Sequence, residues 1–309
     1  MRARPDEAYT SRRAPAVRAE SCSCNFQVKI PVQITRIKAG LFGQPLSGSL
    51  SPDIFRLFAG LTGTGISYEP RETPASGLAE GIASAKAEGW SGFNVTIPHK
   101  AAVCALLASA DDAVRAAGAA NCVRFGTAGP EGVNTDAAAL NEIFKEKGIT
   151  PSGKKAAIFG SGGAAAAAGW ALGSSGASET VFLSRNPAKG AALARRLGPC
   201  FPKTLFSAAP FAAPSGDTGT IINATPLGMY GPGTPPFAPR HGTSCLDMAY
   251  SAHGTEFIKA AAAGGAVTVD GLEILVWQAA LSLRFWTGLP AGDIVELKRE
   301  ALRLLRGSL

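Results

Sequence analysis

From Ile34 onward, apolar and polar positions fall into two alternating rhythms. "ITRIKAGLFG" reads as a strand, and "SPDIFRLFAGL" as a helix capped by Ser51 with Pro52 at its first position. "ISYEPRE" gives a second strand, "GLAEGIASAKAEG" a helix, "GFNVTI" a third strand and "KAAVCALLASA" another helix. A strand pair, around "AANCVRF" and the segment before "GVNTD", leads into the helix "AAALNEIFKEKG". Lys147 and Gly148 close that helix, and the turn "ITPSGKK" follows.

The rhythm then restarts. "KKAAIFG" is a strand, a long alanine-rich helix follows, and "TVFLSR", "AALARRLG", "GTIINAT" and "TSCLDMAY" continue the alternation. Alternating strands and helices predict a parallel sheet covered on both faces. "EILVWQAALSLRFWTG" and "AGDIVELKREALRLLRG" read as two amphipathic helices expected to return to the first half. The fold class predicted is two-domain α/β, and 309 residues with 46% hydrophobic content suffice for two cores.

Residues 1–33 break the pattern. Arg2, Arg4, Arg12, Arg13 and Arg18 mix with Ser, Ala and Pro without apolar period, which predicts a disordered extension. Asp6, Glu7 and Glu20 argue against a transit peptide, and no apolar stretch resembles a secretory signal. No apolar run is long enough to cross a bilayer, so neither secretion nor a membrane partner is expected, and the location expected is cytoplasmic. The net charge of +7 is scattered, with no basic block interleaved with aromatics, so nucleic acid is not expected and a small anionic ligand accounts for the excess equally well. Six cysteines form neither a disulfide framework nor a zinc pattern. With only His99, His241 and His253 available, a metal site or a Ser-His-Asp hydrolase is not expected.

"AIFGSGGAAAAAGWAL" sets Gly160, Gly162 and Ala165 in the G-x-G-x-x-G/A spacing between a strand and a helix. The first glycine serves a tight turn, the second admits a pyrophosphate to the helix N-terminus, and the third small residue lets helix and strand pack. Gly163 and Ala164 belong to the same turn. The next strand ends in Ser184, Arg185 and Asn186, with Lys189 a turn later, where an NAD site usually carries an acid. A cationic fork there suits a 2′-phosphate, so NADP is the cofactor expected; two solvated surface cations are the plainer alternative.

In "GFNVTIPHK", Pro98 suits the opening of a helix, which puts Lys100 in a first turn that disfavours cations. A cation there sits against the positive end of the helix dipole at a cost of about a few tenths of a kcal/mol, which packing alone does not explain.

"GLFGQPLSGSLSP", "GFNVTIPHK", "GAANC", "GVNTD", "INATPLGM", "LDMAY" and "GLEILVWQAA" occur in this order. Together they resemble the shikimate dehydrogenase family, from about Ile34 to the C-terminus. The resemblance implies NADPH-dependent reduction of 3-dehydroshikimate to shikimate in the pathway of aromatic amino-acid biosynthesis. It further implies Lys100 and Asp136 as the catalytic pair, and Ser49, Ser51 and Tyr250 around the substrate carboxylate. Thr96, Asn121 and Gln278 match positions along the ring hydroxyls. Thr225 and Met229, in the loop Asn223–Met229, and Gly271 match the cofactor side. Each also has a plain structural reading: Ser51 and Asp136 as helix caps, Lys100 as a surface lysine, Pro226 and Gly228 as a strand-ending turn.

Several positions depart from the family pattern. Gly48 and Phe55 stand where many relatives carry histidine, Cys122 follows Asn121 in place of threonine, and "AYSAHGT" replaces a commoner Val-Tyr-Asn-Pro. These leave a quinate or shikimate-analogue dehydrogenase open, and a non-catalytic NADP-binding sensor is the reading of another class. The expected organisation is a substrate-binding catalytic domain over 34–136, an NADP-binding Rossmann-like domain over 137–270, and C-terminal helices over 271–309 packing on the first. The assembly expected is a monomer or homodimer.

Overall fold

The computed structural model describes residues 36–251 and 253–308, and the extension expected over 1–33 lies outside them. The first part of the chain forms β1 (Ile37–Gly43), α1 (Ser51–Thr62), β2 (Ile66–Glu72), α2 (Leu78–Ala87), β3 (Gly92–Val95), β4 (Ser109–Ala110), α3 (Asp112–Ala117), β5 (Cys122–Gly126) and β6 (Gly129–Val133). Their sheet runs β2-β1-β3-β5-β6-β4. It is mixed: β1 pairs in parallel with β2 and β3, whereas β3, β5 and β6 are antiparallel neighbours.

Helix α4 (Thr135–Lys147) leads to β7 (Lys155–Phe159), α5 (Gly163–Ser174), β8 (Glu179–Ser184), α6 (Pro187–Leu197), β9 (Leu205–Pro210), β10 (Thr218–Asn223), β11 (Ser244–Asp247), α7 (Glu256–Ala263) and β12 (Val267–Val269). The second sheet, β12-β11-β10-β7-β8-β9, is parallel at every pairing. The chain moves outward on both sides of β7, so a crevice opens at the carboxyl ends of β7 and β10, where such sheets bind ligands. Alternation along β7 divides the core. Ala157 and Phe159 pack with Phe257 and Ala261 of α7, while Ala156 and Ile158 face the larger core that also holds α4 and α5.

The chain ends with α8 (Gly271–Thr287) and α9 (Ala291–Ser308). Helix α8 lies against the first sheet: Trp286 Nε1 donates to the Val123 carbonyl at 3.0 Å, and its ring stacks on Phe55, itself stacked on Tyr68 at 4.1 Å. Buried Lys298 of α9 binds Glu146 of α4 at 2.8 Å and Glu273 of α8 at 3.1 Å. Burial pushes the Glu146 carboxyl up, but the bonds from Lys298 and Trp277 outweigh it and hold the group below its ordinary value. Among the described residues no helix is long and apolar enough to cross a membrane.

Three local expectations fail. "KAAVCALLASA" forms a turn and a short 3-10 helix, Ala102–Leu106, because the Lys100 carbonyl accepts from Ala120 N at 2.9 Å and Cys104 N bonds Ala101 instead. No α-helix dipole therefore acts on Lys100. Ser51 is the first helical residue of α1, preceded by Leu50 with no side-chain cap, so Pro52 takes the second position. The cap of α4 is Asn134, whose side chain accepts from Ala137 N at 3.0 Å, which leaves Asp136 free for other partners.

Candidate functional site

The turn after β3 and the first turn of α4 bring Lys100 and Asp136 together. Lys100 Nζ lies 2.5 Å from Asp136 Oδ2, with both side chains largely sheltered. Asn121, buried just before β5, donates from Nδ2 to Asp136 Oδ1 at 2.9 Å and to Thr135 Oγ1 at 2.9 Å, and its Oδ1 accepts from Thr135 N at 2.7 Å. Both carboxylate oxygens of Asp136 are thus engaged, which fixes the plane in which the ammonium sits. Gln278 Oε1 lies 3.3 Å from Asn121 Nδ2, so α8 closes the group from above.

A second polar layer supports the first. Asn94 donates to the Asn121 carbonyl at 3.0 Å and to Ser282 Oγ at 2.8 Å, Ser282 meets Thr135 Oγ1 at 3.2 Å, and Tyr68 donates to Asn94 Oδ1 at 3.0 Å. Buried polar groups that are all partnered hold a single arrangement. Thr96 is half-buried on the same turn as Lys100, and its backbone N–H bonds the Phe42 carbonyl at 2.9 Å. Cys122 is fully buried, and burial pushes its thiol up to about 12, so it behaves as an inert core residue.

The glycine turn faces this pair. Gly160 has φ 120°, and a Cβ there would meet the Ala224 carbonyl at 3.0 Å, so an ordinary side chain is strained and crowded. Nothing lies within 4 Å of a Cβ on Gly162, and that residue caps α5 with no side-chain acceptor. The first-turn amides of α5 are left free of a side-chain cap, the arrangement that receives a phosphate. A Cβ on Gly163 would sit 3.1 Å from Lys100 Cβ and Cδ, so the helix start touches the Lys100 stem. Ala164 follows, half-buried, and Ala165 is fully buried against the sheet.

Gly160 N bonds the Leu183 carbonyl at 2.9 Å, which sets the end of β8 beside the turn. There buried Ser184 donates to the Asn186 carbonyl at 2.8 Å, and the Asn186 side chain caps α6 by accepting from Lys189 N. Arg185 and the Lys189 side chain stand exposed, free to meet a phosphate. The residues fit NADP.

The loop after β10 is tied down by Asp247, which no separate sequence argument singled out. Its Oδ1 accepts from Asn223 Nδ2 at 2.8 Å and from Ala249 N at 2.9 Å, and Thr255 Oγ1 donates to its Oδ2 at 2.5 Å. Thr225 bonds Asn223 Oδ1 through its N–H at 3.0 Å, and Met229 N bonds the Pro226 carbonyl at 3.1 Å. Gly271 is a glycine because a Cβ would lie 2.2 Å from the Ala249 carbonyl, a packing requirement at the start of α8.

Across the crevice, Ser49 Oγ accepts from Ser51 N at 3.3 Å, and Ser51 is buried. Tyr250, just beyond β11, donates to the Gly48 carbonyl at 3.4 Å. Burial pushes its phenol up to about 12, with Ser49 and the Leu50 backbone as polar neighbours, so it remains a proton donor at neutral pH.

This geometry has close parallels. The profile of the shikimate dehydrogenase substrate binding domain matches residues 41–123, and that of the shikimate 5'-dehydrogenase C-terminal domain matches 271–303. A protein of Rubrobacter xylanophilus named shikimate dehydrogenase (NADP(+)) is 36% identical over 266 residues, covering 84% of this chain and 93% of its own. The chain belongs to the shikimate dehydrogenase family. Another family member, from Aeropyrum pernix, is 38% identical over 279 residues, covering 88% and 98%. Among solved structures, Thermus thermophilus shikimate 5-dehydrogenase in complex with NADP(H) and shikimate superposes with TM-score 0.71 at 29% identity, covering 86% of this chain and 99% of its own. A Gluconobacter 5-ketofructose reductase superposes with TM-score 0.76 at 29% identity, covering 86% and 98%. The two-domain α/β architecture is that of the family's shikimate dehydrogenase structures.

Sequence reasoning passed over Asn94, Thr135 and Ser282 as well as Asp247. Three of them had a signal: Asn94 lies in "GFNVTIPHK", Thr135 in "GVNTD" and Asp247 in "LDMAY". Ser282 had none, because its bond to Asn94 spans 188 positions of the chain.

Proposed function

We propose that this protein is an NADP-dependent shikimate dehydrogenase, reversibly reducing 3-dehydroshikimate to shikimate for aromatic amino-acid biosynthesis. The single observation that supports it most is the Lys100–Asp136 pair, 2.5 Å apart and pressed against the first residue of the helix that follows the glycine turn. When bound, NADPH supplies the hydride. In this reading Lys100 Nζ gives its proton to the ketone oxygen and takes it back in the reverse direction, while Asp136 orients the ammonium. Asn121, Gln278 and Thr96 orient the ring hydroxyls, and Ser49, Ser51 and Tyr250 hold the carboxylate. The amides at Gly162 and Gly163 receive the pyrophosphate, with Ala164 beside them and Thr225, Met229 and Gly271 bordering the dinucleotide. Arg185, with Ser184, Asn186 and Lys189, holds the 2′-phosphate.

The substrate half comprises 34–136 with the helices from 271 onward, and the cofactor half 137–270. The enzyme works in the cytoplasm as a monomer or homodimer. Initial rates with shikimate and quinate, each with NADP+ and NAD+, test the reading: fast turnover is expected with shikimate and NADP+. Lys100→Ala is expected to lower kcat by about 10²–10⁴-fold while the Kd for NADPH stays within about threefold. Near-normal turnover removes the lysine from the mechanism.

A further inference from the structure

The loop after β10 reaches beyond the cofactor side. Gly228 has φ 84°, and a Cβ there would meet Thr255 Cβ at 3.1 Å, so the turn packs directly on the residue that Asp247 holds. Gly233 N donates to Glu256 Oε2 at 3.1 Å and fixes the far end of the same loop. Between these anchors Tyr230 projects across the crevice, 62% exposed. Its ring lies over the loop that precedes α1: a Cβ on Gly48 would be 3.9 Å from Tyr230 Cε1, with no other heavy atom within 4 Å. Tyr250 lies against the same Gly48 from its own side, donating to the carbonyl. The charge of an ionised Tyr230 adds to the upward push on Tyr250, which marks the two phenols as neighbours.

We infer that Tyr230 is a specificity-determining residue, a second phenol that joins Ser49, Ser51 and Tyr250 in binding the carboxylate of the substrate. The inference rests on the shikimate reading above. Tyr230 adds something the other three lack, because it follows Met229 on the loop that borders the cofactor. Gly48 puts no side chain between the Tyr230 ring and the serine loop, and a phenol hydroxyl donates a hydrogen bond. A hydrogen bond to an ionised carboxylate is stronger than one between neutral groups, so loss of the hydroxyl falls on acid substrates selectively.

Steady-state kinetics on Tyr230→Phe test this, with NADP+ and either shikimate or its methyl ester as substrate. The expected result is a KM for shikimate raised about five- to twentyfold. kcat, the KM for NADP+ and kcat/KM on the ester are each expected to change less than twofold. Gly48→Leu is the second variant. A Cβ at 48 already reaches van der Waals contact with the Tyr230 ring at 3.9 Å, so the larger side chain grows into the space beside that ring. It is expected to raise the shikimate KM similarly, and adding Tyr230→Phe to it changes little further. An unchanged shikimate KM in Tyr230→Phe overturns the inference. Equal losses on acid and ester overturn it too, as does an effect confined to the KM for NADP+. If the unaltered protein fails to turn over shikimate, the functional reading falls and this inference with it; if that protein is active and Tyr230→Phe matches it, only the inference falls.

Discussion

Asp247 has no exposed surface, yet three donors converge on it from Asn223, Ala249 and Thr255. Burial pushes its carboxyl up to about 6, with the charge of Asp270 adding to the rise and the three donors holding it back. The folded pKa thus lies above the unfolded value of about 3.9, so the folded state holds this proton more tightly. Its contribution to stability is fully present below about pH 4 and is lost as pH rises through about 6. A difference of about two pH units corresponds to about 3 kcal/mol between the acid and alkaline limits. Asp247→Asn removes that titration and keeps an acceptor for Ala249 and Asn223, while its new amide donates to Thr255. The variant is therefore expected to match the unaltered protein near pH 4.5 and to be more stable at pH 8 by about 1–3 kcal/mol, allowing for the rearranged bond to Thr255. Urea unfolding of both proteins at pH 4.5, 6, 7 and 8 measures the difference, in which groups common to both cancel. A gap that stays constant with pH, or a variant that loses ground at pH 8, would refute the argument and show that three donors suffice to keep the carboxylate ionised.

Arg185→Ala removes the planar cation beside the glycine turn. It is expected to raise the KM for NADP+ about tenfold and to leave the KM for NAD+ within twofold, and initial rates with each cofactor check this. Lys298→Ala removes the buried cation shared by Glu146 and Glu273, but Lys147 at 3.2 Å and Arg306 at 3.5 Å still face Glu273. The loss is expected to be about 1–3 kcal/mol, read by denaturant unfolding, and Lys298→Met, which restores the apolar stem, is expected to recover part of it.

The parts of this fold that were legible from sequence are those whose signals are local. The strand, glycine turn and helix over 155–174 carry their pattern within one contiguous stretch, and the structure has β7 and α5 there. Strands β9 and β12 and helices α3 and α7 had no separate reading, being short or carried by weak periodicity. The segment after Pro98 misled because its fate is set by Ala120, a tertiary partner that takes the Lys100 carbonyl. Lys100 looked misplaced in a helix that does not exist; its position makes sense once Asp136 stands 2.5 Å away. Asp136 itself read equally well as a cap, and only the bond that Ala137 N donates to the Asn134 side chain shows that the cap lies two residues earlier.

Helix α4 carries Asp136 in its first turn and Glu146 in its last, and Glu146 is grasped by Lys298 from the final helix of the chain. During synthesis the ribosome therefore releases the residues that align Asp136 long before those that hold the other end of its helix. A nascent chain stopped at residue 270 already has both strands of the β5–β6 hairpin and the whole second sheet, but lacks Gln278, Ser282 and Lys298. Its Lys100–Asp136 pair would stand on a helix that already packs on α5 but is not yet covered by α8 or held at its far end by Lys298. In the mechanism proposed above, the pair is therefore completed by residues of α8 and α9, and a change in those helices reaches a site whose other members lie more than a hundred positions earlier in the chain.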